Sequence, residues 1–451
     1  MSPITPLPSV SMAESRHLAR PPRCWIDTLP TPEGQRVTVS GWLHHLRELK
    51  SVAFLLVRDT SGVVQVVLDD PDTRSMVAAL PHESVLTVTG TLVAAKNAPG
   101  GCEVHDPVVT VISAALEEPV LDLYRPELDA QQSTLLDHAA VALRHPRRAA
   151  AYRLLAAALA GFRQVLTAQR FTEITTPKII GAAPEGGANV FRLDYFGQSA
   201  YLAQSPQLYK QIMVGVYERV FETAPAFRAE PHATTRHLSQ FYSLDMEMGF
   251  IEDHHTVMMM LTGVLRGMIG AMADSGGLEL LEIPVPVVPS VIPEVHFRDA
   301  LDLLGDAFES DLRDEPDLAP EHERWLGGWA MREFGSDWLF VTGYPMRKRP
   351  FYTHPEPGDP RWSNSFDLLY KGLEVVTGGQ RLHRLEDYEQ ALALRGIDAE
   401  PFAGYLEAFR SGMPPHGGFA LGLERLVMQL CGIRNVRAIA LFPRDLTRIA
   451  P

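Results

Sequence analysis

Two distant segments carry residue types that bind a nucleotide: Phe227-Arg228-Ala229-Glu230 and Gly422-Leu423-Glu424-Arg425-Leu426. Arg228 and Glu230 are two residues apart, so on a strand their side chains would point to the same face. The guanidinium can bind a phosphate, and the carboxylate can accept a hydrogen bond from an amino group such as that of adenine. Arg425, on a glycine-rich turn into a helix, would supply a second phosphate ligand. The two segments therefore predict a nucleotide site without a Walker loop.

A returning strand would add an aromatic ring and a carboxylate to that site. Phe241 and Asp245 are four residues apart, and such residues share one face of a strand. The ring can stack on adenine and the carboxylate can bind an amine. The alternative is ordinary sheet packing with a surface ion pair.

The stretch from Gln204 to Gln211 is dense in hydrogen-bonding groups, yet it lies between apolar runs. A lysine held near an apolar site, such as Lys210, is suited to bind a carboxylate. The alternative is a helix start with Ser205 as its cap and Pro206 in the first turn, and both interpretations can hold together. Upstream, Glu185 lies beside glycines that permit a tight turn. It is either a ligand for a substrate ammonium group or part of a plain surface loop.

Two further carboxylates, Asp367 and Glu374, are candidates for a metal site. They are seven residues apart, so spacing alone does not bring them together, although two paired strands or a bulge would. Carboxylates that face a nucleotide's phosphates hold Mg²⁺. The alternative is an exposed pair engaged in salt bridges. His416-Gly417-Gly418, which leads to Arg425, is either part of the phosphate site or a glycine-rich turn into a core helix.

The elements that must position these residues begin with a β-rich region. Residues 25–116 are short β-type runs separated by turn signals, with a hairpin signature across 54–68. About five strands in such a span favour a small barrel of the OB-fold type. Residues 117–147 predict a linker with a helical part. Residues 1–24, rich in proline and serine, predict a disordered tail.

Residues 148–451 predict an α+β domain built on an antiparallel sheet flanked by helices. A helical pattern over 149–169 is followed by a strand over 171–177 that ends in proline, and β-type runs recur between helices over 190–250 and 337–445. The most apolar window, 257–273, contains an arginine and three glycines. We therefore expect a buried helix there rather than a membrane span.

Composition excludes some classes of protein. At 451 residues the chain needs two or three domains. A formal charge of −14 argues against a protein that coats nucleic acid non-specifically. A local basic face would still permit a specific RNA partner. The three widely separated cysteines fit neither a disulfide framework nor a metal-binding spacing, which indicates a reducing cytoplasm.

The chemistry-bearing segments occur in the order of one known active site. The chain resembles the class II aminoacyl-tRNA synthetases, with Arg228 in motif 2 and Arg425 in motif 3. Among them it is most similar to the aspartyl-tRNA synthetases of the shorter archaeal and eukaryotic-like type. The resemblance covers 41–451, and the stretches that match almost letter for letter are Gln204–Gln211, the one ending at His383, and Gly422–Leu426. It implies activation of aspartate with ATP, transfer to tRNA, a cytoplasmic enzyme and a homodimer.

The resemblance also implies a role for each candidate residue. Arg228 would stabilise the reacting α-phosphorus and Arg425 would hold the leaving diphosphate, so these two are the expected catalytic residues. The residues that would bind ATP are Arg228, Glu230, Arg236, His237, Phe241, Glu374 and Arg425. Those that would bind aspartate are Glu185, Ser205, Gln207, Lys210, Asp245 and Arg381. Asp367 and Glu374 would hold Mg²⁺.

Lys210 and Arg381 would together bind the side-chain carboxylate of aspartate. A neutral asparagine would then leave both cations unpaired, at a cost of roughly 3–5 kcal/mol. This expectation favours aspartate over asparagine as the substrate.

For tRNA, the resemblance assigns the anticodon to the barrel, through His44, Arg47, Phe54 and Gln65. For Phe54 the alternative is a place in the barrel core. His44, with Pro99, favours acceptance of tRNA-Asn as well as tRNA-Asp, and the misacylated product would feed an amidotransferase. The sequence departs from the family's pattern at Ala233 and at 48–51. These positions concern tRNA contacts more than the adenylate site, so the departures put the tRNA preference in doubt and not the activation of aspartate.

Three other interpretations stay open. An asparaginyl-tRNA synthetase is opposed by Lys210 together with Arg381. A non-catalytic, RNA-binding paralogue is opposed by the presence of Arg228, Arg425 and the carboxylate pair. A paralogue that makes aspartyl-adenylate for another acceptor is opposed by the predicted barrel.

Overall fold

The computed structural model describes residues 21–181, 189–231 and 234–450. The chain divides into two compact units, one formed by 1–131 with 140–145 and the other by 132–139 with 146–451. Most of the predicted N-terminal tail, together with Glu185 and Ala233, lies outside the described residues. At the end of that tail, the Cys24 N–H donates to the Thr38 carbonyl at 2.8 Å. The domain boundaries stated above stay predictions.

The first unit contains a closed five-stranded barrel in the order β1-β2-β3-β5-β4. Its elements are β1 (Glu33–Glu48), β2 (Ala53–Arg58), β3 (Val63–Leu68), α1 (Pro71–Ala78), β4 (Val85–Ala94) and β5 (Cys102–Ser113). Alternate side chains along a strand point inward, and apolar ones such as Val39, Leu55 and Val66 are fully buried. The predicted OB-fold barrel is confirmed.

The predicted hairpin between β2 and β3 is confirmed, and Asp59 explains its turn. One carboxylate oxygen of Asp59 accepts hydrogen bonds from the N–H groups of Ser61 and Gly62 at 2.7 and 3.0 Å. The Asp59 N–H donates to the Gly62 carbonyl at 3.0 Å and closes the turn. A short polar side chain that satisfies turn amides is the physical basis of the Asp-to-Gly turn signal.

The second unit contains the larger sheet and most of the helices. Its helices and strands, in chain order, are α2 (Gln132–Asp137), α3 (Ala139–Ala142, which begins there and continues into the first unit), α4 (Pro146–Ala168), β6 (Thr172–Glu173), β7 (Ile179–Ile180), β8 (Arg192–Tyr195), β9 (Gln198–Leu202), α5 (Gln207–Tyr217), β10 (Arg219–Phe227), β11 (Gln240–Gly249), α6 (His254–Asp274), α7 (Gly277–Leu280), β12 (Glu294–His296), α8 (Phe297–Phe308), α9 (Pro320–Phe334), β13 (Trp338–Thr342), β14 (Ser365–Tyr370), β15 (Leu373–Gln380), α10 (Leu385–Leu394), α11 (Ala403–Arg410), β16 (His416–Gly422) and α12 (Leu423–Leu430).

Eight of these strands form one sheet in the order β12-β13-β14-β15-β16-β11-β10-β6. The strands from β13 to β10 pair antiparallel, whereas the outermost pairs, β12 with β13 and β10 with β6, are parallel. A mostly antiparallel sheet flanked by helices confirms the α+β class. The predicted strand over 171–177 is shorter than expected, because β6 pairs with β10 only at Thr172 and Glu173. Pro177 has no N–H to continue a ladder.

Helices α4 and α6 cross at two glycines. A Cβ on Gly161 would lie 2.8 Å from the Gly267 carbonyl oxygen, and one on Gly267 would lie 2.1 Å from Val165 Cγ2. Among the described residues α6 is the single helix long and apolar enough to cross a membrane, and half of that window is buried inside the protein. Its buried face, including Leu265, belongs to the same core cluster as residues of the sheet, as expected for a core helix.

Candidate active site

A cavity of about 230 Å³ lies on the antiparallel sheet of the second unit. Eleven of the candidate residues line it: Ser205, Gln207, Arg228, Glu230, Arg236, His237, Phe241, Asp245, Glu374, Arg381 and Arg425. Lys210 and Asp367 contact residues that line the cavity, and Glu185 falls outside the described residues. The fold therefore brings together segments that are far apart in the sequence.

Arg228 and Glu230 line the cavity, although the expected reason is wrong. Strand β10 ends at Phe227, one residue before Arg228. The Arg228 N–H still donates to Ser239 at 3.0 Å, but the Ala229 N–H turns away and donates to Asn189 at 2.7 Å. The two side chains thus reach the cavity from a loop that leaves the sheet, and the same-face argument for a strand does not apply to them.

Phe241 and Asp245 lie on β11, as expected, and both face the cavity. The guanidinium carbon of Arg228 lies 5.6 Å from the centre of the Phe241 ring, within reach of a cation–π interaction. An aromatic face and a cation therefore lie side by side, which is an arrangement suited to a nucleotide base and its phosphates.

Lys210, Asp245, Glu247 and Arg381 form a buried ion-paired network. Lys210 Nζ lies 3.0 Å from Asp245 Oδ1 and 3.3 Å from Glu247 Oε2. Arg381 Nε lies 2.9 Å from Glu247 Oε1. All four side chains are at most 8% exposed. Burial alone would raise the pKa of Glu247, but Arg381 and Lys210 hold it below its usual value, so this carboxylate stays ionised.

This network corrects one expectation. Lys210 and Arg381 were expected to stay unpaired beside a neutral substrate, but the protein supplies each with a carboxylate of its own. Glu247 was missed in the sequence. The signal that could have found it is its place two residues after Asp245, on the same face of β11.

Asp367 and Glu374 come together across a hairpin with a bulge. Asp367 is opposite Thr377 while Glu374 is opposite Leu369, and the register shifts between Leu368 and Leu369. Paired strands and a bulge, the two routes expected from the seven-residue spacing, both occur here. Burial raises the pKa of Glu374 to about 7, because Arg425 offsets the loss of water only in part while Asp367 and Glu323 add repulsion.

Arg349 is a second residue that was missed in the sequence. Its Nη2 lies 3.0 Å from Asp367 Oδ1, and the Thr377 hydroxyl donates to the same oxygen at 2.6 Å. Arg349 also stacks over Tyr344 at 4.1 Å and lines the cavity. The basic run 347–349 was the available signal.

Two more arginines of the cavity each contact a carboxylate. Arg425 Nη1 donates to the Glu374 carbonyl at 3.1 Å and lies 3.6 Å from its carboxylate. Arg236 Nη1 lies 3.1 Å from Glu323 Oε2 on α9. Burial, reinforced by neighbouring arginines, lowers the pKa of His237, so its ring is neutral near pH 7. Several of the arginines that line the cavity are thus paired with carboxylates.

The polar stretch before α5 is a helix start, and it also faces the cavity. The Gln207 N–H donates to the Ser205 hydroxyl at 3.2 Å, so Ser205 satisfies one of the free amides of the first turn. Gln207 and Ser205 nevertheless line the cavity. The stretch is therefore a helix start, with Pro206 rather than Ser205 at the N-cap position. The expected binding of a substrate carboxylate by Lys210 stays a prediction.

In the first unit, the four candidate anticodon residues lie on three neighbouring strands. His44 is buried on β1, its Nδ1 is 2.9 Å from Arg58 Nη1, and burial, aided by Arg58, lowers its pKa to about 4. Arg47 lies 5.7 Å from the Phe54 ring centre. Gln65 donates to Glu103 Oε2 at 2.8 Å. Phe54 is only partly buried and is not part of the barrel core, so the core alternative for it is wrong.

An antiparallel sheet that presents arginines and paired carboxylates, on a chain that also carries an OB-fold barrel, is the combination expected from the resemblance to class II aminoacyl-tRNA synthetases. A family model described as tRNA synthetases class II (D, K and N) matches residues 131–446. A second, described as an OB-fold nucleic acid binding domain, matches residues 37–112. The chain belongs to the class II tRNA synthetase family of the D, K and N group, and it is an aminoacyl-tRNA synthetase.

Individual relatives cover nearly the whole chain. An aspartate–tRNA(Asp/Asn) ligase of Thermus thermophilus is 46% identical over 95% of this chain and 100% of its own length. An aspartate–tRNA(Asp) ligase of Thermoplasma acidophilum is 39% identical over 95% of this chain and 100% of its own. The crystal structure of asparaginyl-tRNA synthetase from Pyrococcus horikoshii with asparaginyl-adenylate superposes with a TM-score of 0.86, at 30% identity, over 93% of this chain and 97% of that one.

Proposed function

We propose that this protein activates L-aspartate with ATP, giving aspartyl-adenylate and diphosphate, and transfers the aspartyl group to tRNA-Asp and tRNA-Asn. One observation carries the proposal: Arg381, ion-paired in one buried network with Lys210, lines the same cavity as Arg228 and Arg425. The cavity therefore has a carboxylate-binding end and a phosphate-binding end. Relatives named for both tRNAs support the choice of substrates.

The chemistry follows from positions and charges. A carboxylate oxygen of aspartate attacks the α-phosphorus in line, the bond to the bridging oxygen breaks, and diphosphate leaves with that electron pair. No covalent enzyme group is needed, because holding the reactants in line lowers the barrier by itself. Arg228 stabilises charge at the reacting phosphorus, while Arg425 and Arg236 hold the leaving diphosphate. A ribose hydroxyl at the tRNA terminus, the 3′-hydroxyl in this proposal, then attacks the activated carbonyl and releases AMP.

Mg²⁺ fits the carboxylate pair. Burial is the main cause that raises the pKa of Glu374 to about 7, and repulsion from Asp367 and Glu323, which a bound cation would relieve, adds to it. Asp367 and Glu374 would hold the ion, and it would neutralise charge on the phosphate oxygens.

The remaining parts of the proposal concern partners and location. The barrel would bind the anticodon through Arg47, Phe54, Gln65 and His44, with the Phe54 ring available for base stacking.

The enzyme would act as a cytoplasmic homodimer. Exposed apolar side chains such as Leu441 and Phe442 offer contact area for a second copy. Aspartyl-tRNA-Asn would pass to an amidotransferase.

A second candidate function is activation of asparagine. It is favoured by the ion-paired network, because a neutral amide would leave no cation without a partner. The likeness to an asparaginyl-tRNA synthetase structure is compatible with it. Aspartate remains preferred, since Arg381 lines the cavity and a cation there binds a carboxylate better than an amide.

The test is aminoacylation of purified tRNA-Asp and tRNA-Asn with labelled aspartate and, in parallel, with labelled asparagine, with tRNA-Lys as the control. We expect charging of both tRNA-Asp and tRNA-Asn and none of tRNA-Lys. Charging of tRNA-Asp alone would overturn the dual specificity. Charging of tRNA-Asn with asparagine but not aspartate would favour the second candidate.

A further inference from the structure

Glu323 makes contacts that its position in the sequence does not suggest. It lies on α9, in the segment between β12 and β13, far along the chain from Arg236. Its side chain is only 8% exposed. One oxygen, Oε2, accepts from Arg236 Nη1 at 3.1 Å and from the Glu374 N–H at 3.1 Å. A single carboxylate oxygen therefore ties Arg236 to the first residues of β15.

The tie matters because, among the residues that the structure describes, Glu323 is the one hydrogen-bond and ion-pair partner of the Arg236 side chain. It lies between β10 and β11, outside any helix or strand, and its side chain is 27% exposed. A free arginine side chain carries about 2 kcal/mol of rotamer entropy, which a phosphate ligand would have to overcome on binding. A guanidinium has five N–H donors, so the bond from Nη1 to Glu323 leaves others for a phosphate. The contact orders Arg236 without using up its binding capacity.

The position of α9 does not depend on this contact. Helix α9 approaches the turn between β14 and β15 so closely that a Cβ on Gly327 would lie 2.4 Å from the Gly372 nitrogen. Leu326 and Ala330 of the same helix are fully buried in an apolar cluster with Leu339 and Leu369. Apolar packing and the close glycine contact therefore hold the helix in place. The Glu323 carboxylate is not needed for that and can bind Arg236 instead.

We propose that Glu323 is a positioning residue for ATP, one that holds Arg236 ready for the terminal phosphates of the nucleotide. The inference rests on the proposed role of Arg236 as a phosphate ligand. It concerns the β- and γ-phosphate end of ATP and not the adenosine or the amino acid. Loss of Glu323 should therefore weaken only ligands that carry those phosphates.

The test compares two nucleotides within each protein. Binding of the non-hydrolysable ATP analogue AMPPNP and of AMP is measured by calorimetry for wild type, Glu323→Gln and the matched control Glu321→Gln, an exposed glutamate in the first turn of α9. We expect the ratio of AMPPNP affinity to AMP affinity to fall about tenfold in Glu323→Gln, equivalent to one weakened charge-assisted contact. The ratio should not change in Glu321→Gln. Because it is a ratio within one protein, a general loss of folded protein does not alter it.

A double-mutant cycle supplies the second arm. In an Arg236→Ala background, Glu323→Gln should have no further effect on the ratio, and Glu323→Asp should restore part of it in the presence of Arg236. An unchanged ratio in Glu323→Gln, or an effect that is fully additive with Arg236→Ala, would overturn the role of Glu323. Failure of wild type to bind AMPPNP would instead reject the proposed function.

Discussion

Arg381 Nε and Glu247 Oε1 lie 2.9 Å apart in a site where neither side chain is more than 8% exposed. With Lys210 and Asp245 beside them, two cations and two carboxylates balance within the protein before any amino acid binds. If Arg381 binds the substrate, discrimination between aspartate and asparagine would depend on how Arg381 shares its donors between Glu247 and the incoming group, since neither cation is unpaired in the protein.

Substitution of Arg381 tests its role in binding the substrate. Arg381→Leu should lower kcat/KM for aspartate by at least about 100-fold, because it removes roughly 3 kcal/mol of charge pairing. Arg384→Leu is the matched control, since that arginine is 67% exposed and pairs with Asp387 at the surface. Steady-state diphosphate exchange measures both. A near-normal kcat/KM in Arg381→Leu would show that another group binds the aspartate carboxylate.

Metal binding should depend on pH through Glu374. Its pKa of about 7 means that protons compete with a cation for this carboxylate below neutral pH. Mn²⁺ affinity, measured by electron paramagnetic resonance as a probe for Mg²⁺, should be about tenfold weaker at pH 6 than at pH 8. Glu374→Gln should bind weakly at both values. Equal affinity of wild type at the two pH values would contradict the assignment.

Glu424 should make the second unit less stable as pH rises. Burial raises its pKa from 4.5 to about 7, although the Tyr242 N–H and another backbone amide stabilise its charged form. The folded protein therefore keeps a proton that the unfolded chain releases, so stability present below pH 4.5 is lost as pH rises through about 7. The loss amounts to at most about 3 kcal/mol.

Urea unfolding followed by tryptophan fluorescence at pH 5.5 and pH 8 measures this effect. Glu424→Gln should show a smaller fall in midpoint over that range than wild type, whereas the exposed control Glu407→Gln should behave as wild type. If the urea midpoint rises from pH 5.5 to pH 8 to the same extent in wild type, Glu424→Gln and Glu407→Gln, then Glu424 does not titrate in this window.

The choice of tRNA should respond to the side chain at His44. This residue is buried against Arg58, and its ring packs edge-on against the Tyr124 ring with 5.6 Å between the ring centres. A larger group there must therefore displace its neighbours. His44→Trp should lower the kcat/KM ratio for tRNA-Asn over tRNA-Asp about tenfold, a change of about 1.4 kcal/mol. Aminoacylation assays with both tRNAs measure it, with the exposed His138→Trp as the control. An equal loss for both tRNAs would assign His44 a purely structural role.

Local patterns in the sequence predicted those features that depend on local physics. The β2–β3 hairpin, the start of a helix just after Ser205-Pro206 and the shared face of Phe241 and Asp245 follow from turn chemistry, residues typical of helix starts and strand periodicity. The resemblance supplied the order of the site segments, which no spacing rule predicts.

The missed residues share a physical cause. Glu247, Glu323 and Arg349 each pair with a residue far along the chain, at Arg381, Arg236 and Asp367 respectively. Which carboxylate meets which cation is decided by sheet register and by the packing of α9, and neither is encoded in a short window. Strand β10 ended before Arg228 for a related reason, because the chain there turns toward Asn189 rather than continuing its pairing.

ATP–diphosphate exchange without tRNA, with aspartate and asparagine side by side, tests most directly whether the cavity activates aspartate. Exchange with aspartate alone is the predicted result. It would support adenylate formation in a site where Arg381 binds the substrate carboxylate. Exchange with asparagine in preference to aspartate would contradict the substrate assignment. Exchange with neither amino acid would contradict activation by this cavity in the absence of tRNA.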